Sequence, residues 1–296
     1  DTDLGTLTSI SGYNKFKYDE LCDCDFTGAV MLNLDLREKY EQFSQEIRFA
    51  SDTKGKLDYI VGGFFQTSDH SYRDAINIPA DSRLVPVINA LAPGQNFGTA
   101  IQSTRAAREA QVETSILSAF AQVNYDITDQ FRVTLGGRVT HEEKEGDRTL
   151  TIQNLDGTPL TGVKAVAAPL VFGQLLRISS TNLTTIAGLP IPQAAAAQAL
   201  LNMLGTHPVD GKLSKTGFVP SVTLQYDVND DIMLYGNFVK GTKSGGFDFR
   251  GNNRGFYSTM EDAFEFSEEK ATSWEAGAKT RLLDGRAIFN VALYHT

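Results

Sequence analysis

Several stretches of the chain place an apolar or small residue at every second position. In the clearest of them Leu117, Ala119, Ala121, Val123 and Tyr125 alternate with Ser118, Gln122 and Asn124, Phe120 being the exception. A period of two marks a strand with two different faces. The polar segment Asp126 to Gln130 then leads into Phe131, Val133, Leu135, Gly137 and Val139, alternating with Arg132, Thr134, Gly136, Arg138 and Thr140. The pattern returns at Val222, Leu224, Tyr226 and Val228, followed by a turn at Asn229-Asp230-Asp231 and a strand from Ile232 through Val239. It returns again at Thr272, Trp274, Ala276, Ala278, Thr280 and Leu282, where Asp284-Gly285 leads to Ala287, Phe289, Val291 and Leu293. Asp-Gly between alternating runs is a strong hairpin signal. An earlier pair, Phe43 to Ser51 and Leu57 to Gln66, is joined by residues 52–56, and a first strand is predicted around Leu4 to Tyr13. The expected total is about eight strands.

The connections alternate in length. Tight turns are expected near 52–56, 127–130, 229–231 and 284–285, and long polar segments near 14–41, 69–113, 147–215 and 246–268. A soluble sandwich has no reason to gather its long loops at one end, whereas a barrel through an outer membrane joins its strands by short periplasmic turns and long extracellular loops. Lipid offers no hydrogen bonds to a backbone, so a spanning sheet must close, with apolar side chains outward and polar ones toward a wet interior. The expected fold is therefore all-β, an antiparallel transmembrane β-barrel with long extracellular loops, some helical. Arg132, Arg138, Glu275, Lys279 and Arg281 fall on the polar phase and would face the lumen. Tyr125 and Tyr226, on the apolar phase just before their turns, suit an interfacial aromatic girdle. An ordinary antiparallel sheet with one buried face explains the alternation but leaves the asymmetry of the connections unexplained.

Composition narrows the function classes. The 296 residues carry 27 Lys+Arg against 36 Asp+Glu, a net charge of −9, which disfavours a duplex-binding protein, and two cysteines are too few for a disulfide-stapled miniprotein. The long uncharged window from Ile178 to Thr206 is interrupted by Ser, Thr, Asn, Gln, Pro190 and Pro192, so no transmembrane helix is predicted. No export signal is legible at Asp1-Thr2-Asp3.

Three blocks carry a family resemblance. Phe43-Ser44-Gln45-Glu46-Ile47-Arg48 with Gly62-Gly63-Phe64-Phe65, the run Tyr235 to Phe247, and Glu268-Glu269-Lys270 through Trp274 to Lys279 together resemble the barrel domain of TonB-dependent outer-membrane receptors. The resemblance implies a 22-stranded barrel filled by an N-terminal plug and located in the bacterial outer membrane. No plug or TonB box is visible, so residues 1–296 are expected to be part of one such barrel domain, with the plug outside the chain. It further implies a TonB-energised import receptor without bond chemistry, whose partners are the TonB complex, lipid and lipopolysaccharide, and a scarce cargo, most commonly a ferric siderophore or another metal chelate. A passive porin or small structural barrel is the alternative. A soluble β-rich adhesin or enzyme domain is a more remote one.

Other chemistry is thin. Gly236 to Ser244 imitates a phosphate-binding loop, but Thr242 separates Gly241 from Lys243 and no helix pattern follows. His70, His141, His207 and His295 lack metal-ligand spacing, so no catalytic residue, metal or cofactor is expected. Cys22 and Cys24 lie in the first long loop and are candidates for a small local disulfide in an oxidising exterior, two thiolates alone being unable to complete a soft-metal site. In the largest loop Gln193 to Leu204 is a good helix former, and the apolar stretches near Leu84 to Leu91 and Val163 to Leu176 suit either self-packing of the loops or a lid over the mouth. In the last loop Phe247, Phe249, Arg250, Arg254, Phe256 and Tyr257 combine aromatic surface with cations. That pairing suits either an anionic aromatic chelate or an interfacial girdle with solvated charges.

Overall fold

A computed structural model of the chain describes residues 4–23, 27–52, 55–91, 93–175, 209–249 and 264–296. Its main element is a nine-stranded antiparallel sheet in which each strand pairs with the next along the chain. The strands are β1 (Gly5–Cys22), β2 (Asn33–Ser51), β3 (Leu57–Ile78), β4 (Thr104–Asp126), β5 (Phe131–Asn154), β6 (Val209–Asn229), β7 (Ile232–Lys243), β10 (Glu269–Leu282) and β11 (Ala287–His295). A two-stranded ribbon, β8 (Gly246–Phe247) and β9 (Glu265–Phe266), interrupts the last long connection. The sheet is open, with β1 and β11 at its edges. Each of its nine strands contains one of the nine alternating segments named from the sequence, so the expected total of about eight is one short of the segments themselves.

The pairing register assembles the period-two pattern of single strands into two continuous faces. One face joins Tyr13, Phe43, Ile47, Val61 and Phe65 through Leu117, Val123, Leu135 and Val139 to Phe218, Leu224, Leu234, Trp274 and Leu293. These side chains are uncovered: Leu117 and Phe218 are each 61% exposed, and Leu293 is 76% exposed. The apolar phase occupies nine-residue stretches at 57–65, 117–125, 131–139 and 218–226, and none contains a charged residue on that face. Nine residues rise about 30 Å along a strand, or about 22 Å of bilayer at a tilt of ~40°, close to the ~25 Å apolar band of an outer-membrane barrel. Beyond each stretch the same phase turns ionic at one level, where Glu41 pairs with Asp69, Asp69 with Glu113 and Glu113 with Glu145. Within the band Ser9, Ser11 and Gln45 satisfy one another, Ser11 Oγ donating to Gln45 Oε1 (2.5 Å) and Gln45 Nε2 donating to Ser9 Oγ (3.0 Å).

The tight turns near 127–130, 229–231 and 284–285 lie where expected, while of the turn expected at 52–56 residues 53 and 54 lie outside the described residues. Ile127 N–H donates to the Phe131 carbonyl (2.9 Å), and the turn before β11 has Leu283, Asp284 and Gly285 at positive φ. The strands, however, run far into segments expected as loops: β3 to Ile78, β4 from Thr104, and β5, 24 residues long, to Asn154. Past the apolar band the outer phase is ionic, so the alternation that marks a strand in sequence fades while the backbone ladder continues.

Candidate functional site

The helices and the ribbon of the long connections pack on the other, polar face of the sheet, which is therefore its inner face. The connection after β3 forms α1 (Leu84–Leu91) and α2 (Phe97–Ile101), and the connection after β5 opens with α3 (Gly162–Leu175). Val85, Ile88, Phe97, Ile101, Ala168, Val171 and Phe172 share one buried core with Ile78, Ala106 and Leu150, which lie on the inner phase of β3, β4 and β5. Asn89 Oδ1 accepts the Gly98 N–H (2.8 Å), satisfying a donor in the first turn of α2. The connection after β1 joins the same assembly: Ser82 Oγ donates to the Met31 carbonyl (2.5 Å), Arg83 N–H to the Val30 carbonyl (2.7 Å), and Leu32 packs on the core. The apolar stretches at 84–91 and 163–175 are thus helices that both pack on α2 and share a core with the wall. The helix expected at Gln193 to Leu204 lies outside the described residues.

A second cap, the ribbon β8–β9, is seated by one ring. Phe247 enters a slot between Gly146 and Gly211, which face each other in register on β5 and β6; a Cβ on Gly146 would come within 2.5 Å of the ring, and one on Gly211 within 2.7 Å. Phe264 stacks on Phe247 with centroids 4.9 Å apart, and Phe249 stacks on Tyr72 at 5.9 Å. Polar ties surround the rings. Lys144 Nζ donates to the Gly245 carbonyl (2.7 Å), Ser244 Oγ to Glu142, and Glu268 pairs with Lys270 (2.9 Å) and Lys215 (3.1 Å). The hydrogen bonds from Lys270 and Lys215 hold the Glu268 carboxyl below its ordinary pKa.

Between the two caps lies a buried ionic group. Arg108 Nε donates to Asp74 Oδ1 (2.7 Å), its Nη2 donates to Asp74 Oδ2, and Tyr72 OH donates to the same oxygen (3.3 Å). Arg148 is fully buried beside them. Burial pushes its pKa down to about 10 and the neighbouring Arg108 adds to the effect, while Asp248 opposes it. Each strand contributes a residue of the inner phase, so the register converges these charges where the sequence scatters them over positions 74–248.

Lower on the inner face, at the depth of the apolar band, Arg138 is half-buried between two rings, 5.4 Å from the Phe64 centroid and 5.8 Å from that of Phe120. Its Nη2 donates to Ser118 Oγ (2.9 Å) and its Nε to Thr140 Oγ1 (3.3 Å). Phe120, the exception to the alternation, faces inward because Gly62 leaves its ring room: a Cβ there would meet it at 2.5 Å. Near the tight turns Tyr235 covers Gly277, donates to Glu275 Oε1 (2.5 Å) and lies 5.7 Å from Lys279 Nζ.

Of the site residues read from the sequence, Arg132, Arg138, Glu275, Lys279 and Arg281 all fall on the inner phase. Phe247 is only 8% exposed and serves as an anchor, and Phe249 is partly buried beside it. Arg250, Arg254, Phe256 and Tyr257 lie outside the described residues. Cys22 ends β1 and is disulfide-bonded; Cys24, the other cysteine of the sequence, lies outside the described residues. Sequence reasoning missed Asp74, Arg108 and Arg148 because they stand in segments that read as polar loop. The small inward residues Ala106 and Ala110, at period two around Arg108, are the signal that would have exposed that strand.

Solved structures with the same architecture cover nearly all of the chain. The ferric yersiniabactin uptake receptor FyuA from Yersinia pestis superposes on 99% of it with a TM-score of 0.62 at 15% identity. The siderophore receptor PiuA from Acinetobacter baumannii superposes on 99% with a TM-score of 0.54 at 12% identity. The chain spans 33% of the length of the first and 38% of the second. At these identities the likeness is one of fold, and the sequence supplies the rest: the model of the TonB dependent receptor-like β-barrel matches residues 1–296. The chain belongs to the TonB-dependent receptor-like β-barrel family.

Proposed function

We propose that residues 1–296 are part of the barrel wall of a bacterial outer-membrane receptor that imports a ferric siderophore or another metal chelate. The plug lies outside this chain, and TonB supplies the energy through it. The observation that carries this reading is the pairing of an uncovered apolar outer band with long connections folded onto the inner face. A passive porin needs an open interior, and caps built into the mouth oppose free diffusion; a receptor needs a roofed mouth that recognises one cargo. The similarity in fold to receptors described as taking up ferric yersiniabactin and as binding a siderophore supports the cargo class. The outer band contacts lipid, and the ionic row above it meets lipopolysaccharide. Phe249, Arg250, Arg254, Phe256 and Tyr257, which follow the Phe247 anchor in the sequence, are the aromatic and cationic residues assigned to an anionic chelate. The wall binds and guides its cargo and carries out no catalysis.

The test is growth and uptake of labelled ferric chelates under iron limitation by cells whose sole receptor is the full-length protein. Uptake of one chelate, abolished by loss of TonB and weakened when Arg250 and Arg254 are both changed to Ala, is expected. Uptake that persists without TonB would favour the porin.

A further inference from the structure

The inner wall beneath the β8–β9 ribbon carries an open concavity of about 610 Å³, a volume within the range of small-molecule sites. Its walls are partly apolar, with Phe64, Ile116, Phe120 and Val239 among the lining residues, and Ser244 and Glu268 come from the last long connection above. Four charged residues line it. Three are neutralised within the fold: Glu268 by Lys215 and Lys270, and Glu142 by Lys144 (3.1 Å). The fourth is Arg138, whose polar partners among the described residues are two hydroxyls, so none of the described residues gives it a counter-charge.

The geometry around that charge is selective. Phe64 and Phe120 restrain the guanidinium, and Ser118 and Thr140 occupy two of its five N–H donors while supplying no negative charge. The remaining donors form part of a planar fork suited to a carboxylate, and partial desolvation strengthens such a bond. The rings offer a flat apolar body a stacking surface beside the anion. We infer that Arg138, with Phe64 and Phe120, forms a binding site on the inner wall for a small aromatic carboxylate, below the caps and at the depth of the outer apolar band. On the import reading, on which its biological use rests, this is a second station for an anionic cargo after the mouth.

The probe is benzoate, with benzamide as its uncharged isostere, titrated against the full-length receptor in detergent by calorimetry or ligand-observed NMR. The expected result is benzoate binding at least tenfold tighter than benzamide, with Arg138→Gln removing that preference and Arg138→Lys keeping part of it. Folding of each variant is checked by the migration of unheated barrel on gels. If Arg138→Gln fails to fold, Phe120→Leu is the substitute, and it is expected to weaken benzoate several-fold. Equal affinity for the two probes, unchanged benzoate binding in Arg138→Gln, or no benzoate binding to the intact receptor because a protein carboxylate already holds the guanidinium would each overturn the assignment. Chelate uptake measured in parallel separates the two readings. Arg138-dependent benzoate binding in a receptor that imports nothing would keep the site and remove the import function.

Discussion

Removing the Phe247 ring should release the ribbon β8–β9 from the wall while leaving the barrel intact. Phe247 is almost fully buried against Phe264 and the Gly146–Gly211 slot, so Phe247→Ala forfeits both transfer free energy and packing. Large-to-small core changes of this kind cost about 3–5 kcal/mol, and for opening of the ribbon as one unit the whole loss falls on its opening equilibrium. At about 1.4 kcal/mol per tenfold, the low end of that range raises the open fraction by about a hundredfold. The reporter is the Asp248 amide, which donates to the Phe264 carbonyl (2.6 Å) and exchanges with solvent only when the ribbon opens. Hydrogen exchange followed by mass spectrometry in lipid vesicles should show peptides covering 244–249 and 264–268 exchanging about two orders of magnitude faster, with 117–125 and 131–139 unchanged. Gly146→Ala should reproduce the effect from the other side, since its new Cβ would stand 2.5 Å from the ring. Wild-type exchange in the ribbon of either variant would refute the slot as its anchor.

Three other substitutions or conditions probe the remaining layers. Asp74→Asn leaves the buried Arg108 without its counter-charge, a loss of about 3–5 kcal/mol, and should speed exchange at 72–78 and 104–110 selectively. Leu135→Arg puts a cation in the middle of the outer band at a cost of ~2–4 kcal/mol in vesicles, read as a lower denaturant midpoint, whereas Thr134→Arg on the inner phase should cost much less. The Glu268 carboxyl is held below its ordinary value by Lys270 and Lys215, so its contribution is complete above the unfolded carboxylate pKa near 4.5 and is lost as pH falls through the lower folded value. A spin label at Ser267 should therefore keep one mobility from pH 7 to 5 and become more mobile only in stronger acid. Loosening near neutral pH would contradict that ion pair.

The outer band was legible in the sequence because lipid tolerates few charges there, and the turns were legible because each ends such a run. Strand ends beyond the band were not legible, since His141, Glu143, Glu145 and Asp147 occupy the outer phase of β5 where apolar residues stood before. The site was legible only as a collection of residue types. Phe247 reads equally as a ligand-facing ring or an anchor until Gly146 and Gly211, both distant in sequence, are brought beneath it by the register. Arg138 reads as one polar-phase cation among four; the inward turn of Phe120, an irregularity in the pattern, was the clue that it differs from the others.

Lipid contact by the outer band is tested most directly by nitroxide scanning of positions 132–139 on β5 in the full-length protein in vesicles. Labels at 133, 135, 137 and 139 should be open to dissolved oxygen and shielded from a water-soluble nickel chelate, with labels at 132, 134, 136 and 138 showing low oxygen exposure in strict alternation. Uniform shielding from oxygen at all eight positions would mean that protein covers the apolar face, and the membrane-spanning wall would have to be abandoned.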